Sequence, residues 1–377
     1  MSEIRKRKQA IFPSNPASAV EAVDGVLGYA AGLQASDVHI DPRRQDILVR
    51  HRVDGELELA GTLPRHIHEE VVARLKILSG ARTDIHTVPQ DGRWRAVLGD
   101  QTYNIRISFM PTYQGENAVV RFLPAEVAGQ DSFAALGFTP DHVVSLSNSL
   151  AKPNGLILVT GPTGSGKTTT LRICLGLKSA QPLSVMTLED PVEYEVPGVR
   201  HVHIRASHGV SFASGLRAAL RQDPDVIMVG EIRDLETART AMHTAMTGHL
   251  VLSTLHTRSA LETILRLSDM GIERYLIAAT LRLIVSQRLV RTVCRDCGGA
   301  GDDCAACRGS GFHGRSVIAE ILSLDDELRD AISRGDSLSA VTILARSKGF
   351  RTMEEDASEK VDWGVTTNEE IGKALCP

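Results

Sequence analysis

Apolar and polar positions follow two different rhythms along this chain. In "ILVRHRVDGELELAG" (residues 47–61) they alternate around an Asp-Gly pair, the pattern of a half-buried hairpin closed by a tight turn. "GRWRAVLGDQTYNIRISFMP" and "NAVVRFLP" add short strands with a Gly-Asp turn between them, and residues 18–34 and 65–79 have helical periodicity. Residues 18–124 therefore predict a small α+β domain. Residues 125–136 turn to Ala, Gly, Ser and Asp, the composition of a linker. Beyond them the alternation disappears. "LILVTG", "LSVMTLED", "DVIMVGE" and "HLVLSTLH" are continuous apolar runs separated by helical stretches. Such runs predict strands buried on both faces of a parallel or mixed sheet. The resulting division is a basic tail (1–17), the α+β domain (18–124), the linker, an α/β core (137–290), a cysteine module (291–315) and a C-terminal helical region (316–377).

Composition narrows the function classes. The 377 residues are 42% hydrophobic, enough to fill more than one core. A net charge of −4, a pI near 6.4 and 4% aromatic residues leave little for phosphate-backbone attraction or base stacking, so no nucleic-acid partner is expected. "RKRK" at Arg5 to Lys8 is a local exception, a solvated tail or a contact for anionic lipid. The chain start lacks the apolar core of a signal peptide, and no window approaches 18 uninterrupted apolar residues. A cytoplasmic protein with peripheral membrane contact only is expected.

One stretch carries specific chemistry. "LILVTGPTGSGKTTTLR" joins an apolar strand to a glycine-rich loop and a helix, and "GPTGSGKT" satisfies G-x-x-x-x-G-K-[ST] at every fixed position. Gly161, Pro162, Thr163, Gly164, Ser165, Gly166, Lys167, Thr168 and Thr169 are thus expected to hold a nucleotide. Backbone N–H groups and the helix N-terminus would face the phosphates, Lys167 the β and γ phosphates, and Thr168 a Mg²⁺ ion. Carboxylates stand where later strands end. Glu189 and Asp190 follow one apolar run and Glu231 another; Gly230 stands where such strands ordinarily carry a metal-holding aspartate. Glu231 is the candidate to orient the attacking water or tie down the metal shell, with Glu189 and Asp190 completing it. Glu193 and Asp234 can equally be caps of following helices. His249 and His256 bracket another strand. Seven steps of about 3.3 Å separate them by roughly 23 Å, so both cannot reach one phosphate. His256, at the carboxyl end where ligands collect, is the candidate phosphate sensor.

Four of the six cysteines form C-x₂-C, six residues, then C-x₂-C. Cys294, Cys297, Cys304 and Cys307 would close a tetrahedral Zn²⁺ site with no open position, structural and not catalytic. Cys174, on the apolar side of a predicted helix, and Cys376 stand apart and are expected to be inert.

Taken together these segments closely resemble the secretion ATPases of type II secretion and type IV pilus assembly. The resemblance rests on "GPTGSGKTTTL", "TLEDPVE", "LRQDPDVIMVGEIRDLETA" and "TGHLVLSTLHT". In the first domain it rests on "ASDVHIDP", "VRHRVDG" and "PQDGRW", and near the cysteines on "SQRLVRTVC". It implies a PAS-like first domain and a RecA-like motor domain in a homo-hexameric ring. Such a ring would hydrolyse ATP at subunit boundaries and drive an inner-membrane platform protein that assembles pilin-like subunits. It also implies that Arg93 and Arg106 meet the nucleotide at a junction, a role suited to a planar, permanently charged guanidinium. From the residues alone they rank with Arg50, Arg52 and Arg121, and Arg217 and Arg221 are further candidates. The cysteine module favours the assembly or secretion branch over pilus-retraction ATPases. Longer members carry an extra N-terminal domain that docks on a membrane partner, whereas about 17 residues precede the first domain here, so the resemblance leaves the recruitment route open. The alternative reading is a nucleotide-gated scaffold with little hydrolysis, for which Gly230 is the support.

Overall fold

The alternation in the first domain becomes a six-stranded antiparallel sheet. The computed structural model describes residues 16–124, 131–205 and 209–375. The basic run at 5–8, the first half of the linker and Cys376 lie outside the described residues. Two units are separated at Val127 and Ala128.

The first unit contains α1 (Ala19–Gly32), β1 (Asp37–Pro42), β2 (Asp46–Val53), β3 (Glu56–Pro64), α2 (His68–Ser79), β4 (Gln90–Leu98), β5 (Gln101–Thr112) and β6 (Gly115–Pro124). The strand order is β3-β2-β1-β6-β5-β4. Ser18 starts α1 by accepting a hydrogen bond from the Glu21 N–H. Alternate side chains such as Val38, Ile40, Val49, Ile107 and Val120 share one core with Val23, Leu27, Val71 and Leu75 of the helices. The opposite side chains are mostly polar, with Val97 and Met110 exposed among them. Register places Arg93 opposite Arg106, Arg106 opposite Arg121, Arg121 opposite Asp37 and Asp37 opposite Arg52, one row across five strands.

The second unit opens with α3 (Pro140–Leu150), β7 (Gly155–Thr160), α4 (Lys167–Ser179), β8 (Val185–Glu189), β9 (Val199–His203), α5 (Phe212–Ala219) and β10 (Val226–Val229). It continues with α6 (Leu235–Met246), β11 (Leu250–Leu255), α7 (Ala260–Asp269), α8 (Arg274–Thr280), β12 (Leu281–Val293) and β13 (Phe312–Ser323). Four helices close the chain: α9 (Asp326–Arg334), α10 (Leu338–Ser347), α11 (Met353–Asp362) and α12 (Asn368–Leu375). The sheet order is β13-β12-β7-β11-β10-β8-β9, parallel except for β13. Successive β7 residues enter opposite cores: Leu156 and Leu158 one, Ile157 and Val159 the other. That two-sided burial is why the strand is a continuous apolar run, each such side chain contributing about 1.5–3 kcal/mol. The fold is α/β, with a RecA-like motor unit after a small PAS-like one.

Two boundaries and one strand differ from the sequence expectation. Residues 316–323, assigned to a helical region, are the inner part of β13, where side chains are buried against β12. The cysteine module is therefore an excursion between two strands of the motor sheet. Phe133 and Leu136, in the stretch composed like a linker, are buried in the motor core, and the Leu136 carbonyl accepts from the Val317 N–H at 2.8 Å. The third difference is β9, whose "VRHVH" has no apolar run because this edge strand is only partly covered.

Candidate functional site

Thr160 pairs with Leu255, Val229 with Ser253, and Leu188 with Val229, so four strands end at nearly one level. Gly161, Glu189, Glu231 and His256 each follow or close one of these ends. They lie along the carboxyl edge of a parallel sheet, where open α/β folds gather ligands.

The loop is built by close backbone contact. A Cβ on Gly161 would sit 2.4 Å from the Gln287 carbonyl oxygen, and its φ of +142° disfavours any side chain. Gln287, fully buried on β12, donates from Nε2 to the Ser165 carbonyl at 2.8 Å and accepts from Thr170 Oγ1 at 2.9 Å. It thereby ties the loop and the first turn of α4 to the neighbouring strand. Lys167 begins that helix, so unpaired N–H groups of the first turn surround the loop. Its ammonium donates to the carbonyls of Gly161 and Pro162 at 2.8 and 2.9 Å. Burial lowers this ammonium to about 8, opposed by the Glu231 carboxylate. Pro162, Thr163, Gly164 and Thr168 are exposed, Ser165 is buried, and Gly166 and Thr169 are intermediate.

Glu231 pairs with Arg233 at 2.5 Å and lies 3.8 Å from His256 Nε2. Burial lowers the pKa of His256, Lys167 and Arg233 lower it further, and Glu231 opposes them. Gly230 has a steric reason. A Cβ there would meet the Leu188 carbonyl at 3.2 Å, while the Gly230 N–H donates to that same oxygen at 2.8 Å. Glu189 is buried at the end of β8, and Asp190 is exposed after it. Glu189 Oε1 accepts from His201 at 2.8 Å, and Glu189, Thr168 and His201 line one small cavity with Arg172 and Tyr194.

The other candidates lie elsewhere. His249 sits beyond the opposite end of β11, its ring 3.2 Å from the Thr244 carbonyl. Asp234 caps α6 through the Thr237 N–H. Arg217 pairs with Glu236, and Arg221 donates to the Arg217 carbonyl. Arg93 and Arg106 belong to the arginine row of the first unit; Arg50 pairs there with Asp41, and Arg121 with Asp37. Gln287, His201 and Arg233 were not singled out by sequence. Gln287 and Arg233 carried a signal, their places in "SQRLVRTVC" and "LRQDPDVIMVGEIRDLETA".

The four thiols converge. All their sulfurs lie within 4.8 Å of one another, with Cys294 and Cys304 at 3.8 Å and Cys297 and Cys307 at 3.7 Å. A tetrahedral Zn–S bond of about 2.3 Å requires sulfur–sulfur edges of about 3.8 Å, so the donor set fits. N–H groups of Gly301 and Gly311 point at Cys297 and Cys307 at 3.4 and 3.3 Å, which favours thiolates. Among the described residues this is the cluster able to hold a metal. Cys174 is fully buried in α4, and burial pushes its thiol up to about 12, so it is inert.

The family described as type II/IV secretion system protein matches residues 14–373. The chain belongs to that family. It is 40% identical to the type II secretion system protein HxcR of Pseudomonas aeruginosa, over 98% of this chain and 80% of that one. It is 41% identical to the type IV pilus assembly ATPase PilB of Thermus thermophilus, over 98% of this chain and 45% of that longer protein. The solved pilus retraction motor PilT with bound ADP superposes with a TM-score of 0.69 at 29% identity, covering 93% of this chain and 96% of its own. This type II/IV secretion chain thus has the fold and nucleotide loop of secretion ATPases. No helix among its described residues is long and apolar enough to cross a membrane.

Proposed function

We propose that this chain is an ATP-hydrolysing motor that forms a homo-hexamer and drives assembly of pilin or pseudopilin fibres through an inner-membrane platform protein. It would serve type II secretion or a type IV pilus from the cytoplasmic face of the membrane. The observation that carries the reading is the gathering of Lys167, Glu231, His256 and Glu189 along one sheet edge, next to the phosphate loop.

In this reading the loop N–H groups and Lys167 hold the β and γ phosphates. Glu231 orients the attacking water, and His256 beside it senses the γ-phosphate. Thr168, sharing a cavity with Glu189, would hold Mg²⁺ with Glu189 and Asp190 in its shell; bound there, the ion would offset the charge of the transferred phosphoryl group. Arg93 and Arg106 act on the nucleotide from a domain or subunit junction. Cys294, Cys297, Cys304 and Cys307 would hold Zn²⁺, which would keep the β12–β13 excursion in shape. Gly230, the support for a non-hydrolysing scaffold, is also tightly packed, since a Cβ there would lie 3.2 Å from the Leu188 carbonyl oxygen.

The test compares ATP turnover of the protein and Glu231→Gln, with oligomer size recorded at each concentration. The expected result is ATP binding retained and turnover down at least about a hundredfold, with the wild-type rate rising faster than protein concentration. Undiminished turnover in Glu231→Gln would remove that residue's role. A rate strictly proportional to concentration would count against sites shared between subunits.

A further inference from the structure

His201 has an environment that defines its protons. It lies on β9 directly opposite Thr187 of β8, two residues before Glu189 on the same strand face. The Val196 backbone N–H donates to its Nε2 at 3.0 Å. A nitrogen that accepts a hydrogen bond carries no proton, so the ring N–H is at Nδ1. Two acceptors are in reach of Nδ1, Glu189 Oε1 at 2.8 Å and Thr187 Oγ1 at 2.9 Å. The carboxylate carries the charge and is the stronger acceptor. The His201 side chain is 12% exposed and that of Glu189 is 10% exposed, so water competes little for the bond.

We propose that His201 is a positioning residue: its Nδ1–H holds Glu189 Oε1, so the work of this carboxylate at the nucleotide site runs through Oε2. The proposal deepens the functional reading above and rests on the role given there to Glu189. Val196 supplies the anchor, since its N–H fixes both the ring tautomer and the ring plane. The arrangement matches the way outer partners orient ligating side chains, where loss of the partner costs about 10–100-fold in metal affinity or activity.

The experiment uses the full chain and measures MgATP turnover for Glu189→Gln, His201→Ala, His201→Asn and the double variant His201→Ala with Glu189→Gln. Asparagine can return an N–H donor to the Nδ1 position, whereas alanine cannot. The expected result is kcat down about tenfold in His201→Ala with KM for ATP within about twofold, and substantial recovery in His201→Asn. In the Glu189→Gln background, His201→Ala should cause no further loss. Wild-type kcat in His201→Ala, with Glu189→Gln impaired, would overturn the proposal alone. So would equal losses in the alanine and asparagine variants that add to that of Glu189→Gln. Wild-type turnover in Glu189→Gln would overturn the role of Glu189 itself, and the proposal with it. If His201→Ala fails to fold, the asparagine variant still decides: a kcat at the Glu189→Gln level in a folded protein overturns the proposal, and near-normal kcat supports it.

Discussion

The two sheets of this protein use charge in opposite ways. The antiparallel sheet of the first unit buries alternate residues and leaves a polar face on which arginines stand opposite one another, Arg93 against Arg106 and Arg106 against Arg121. Like charges directly across strands cost stability, and in this row Asp37 offsets part of that cost by pairing with Arg121 and Arg52. The motor sheet buries both faces. Its candidate site residues stand at the strand ends, where Glu189 closes β8 and Glu231 and His256 follow β10 and β11. A sheet solvated on one side can carry function along its whole width; one covered on both sides can carry it only at an edge.

The comparison can be broken most directly at the edge. Lys167→Ala should lower ATP turnover by at least about a hundredfold while leaving circular dichroism unchanged, because the charge is lost at an edge and not in a core. A preserved rate would show that the edge is not where the chemistry lies. Next in size is Cys294→Ser with Cys297→Ser. Metal analysis should fall from about one zinc per chain to none, and the β12–β13 excursion should become protease-sensitive. A wild-type protein free of metal would remove the zinc assignment.

The arginine row offers a smaller effect that sharpens the contrast. Arg93→Ala and Arg106→Ala should each lower turnover about tenfold with little change in thermal stability, or raise stability slightly by relieving repulsion. Unchanged turnover would make the row an ordinary solvated face.

The smallest effect concerns protonation. Burial holds Lys167 at about 8 in the free protein, below an ordinary lysine. Phosphate favours its charged form, so ADP binding at pH 8 should take up about half a proton, and nucleotide affinity should weaken as pH rises further. Calorimetry in two buffers of different ionisation enthalpy reads the uptake, and Lys167→Arg should abolish it.

Much of this was legible in local patterns. The hairpin closed by Asp54 and Gly55, the run before Gly161 and the cysteine spacing are each specified within some twenty residues, and each recurs in the structure. The separation of His249 from His256 followed from strand rise alone. What misled was composition. Residues 131–136 are rich in small and polar types, yet Phe133 and Leu136 are core residues, since two apolar anchors suffice to pack a short turn. The strand at 316–323 was hidden because its partner β12 lies across the cysteine excursion.

The sequence by itself determined the alternation of the first sheet, the two-sided burial of the second, the phosphate loop and the four thiols, because backbone periodicity and short-range spacing act over neighbouring residues. Only the tertiary structure decided that Gln287 clamps the loop from 122 residues away, that a carbonyl of β8 closely approaches Gly230, and that His201 bonds to Glu189. Those contacts depend on strand order and register, and hydrogen bonds across a sheet leave no mark on the residues that lie between their partners.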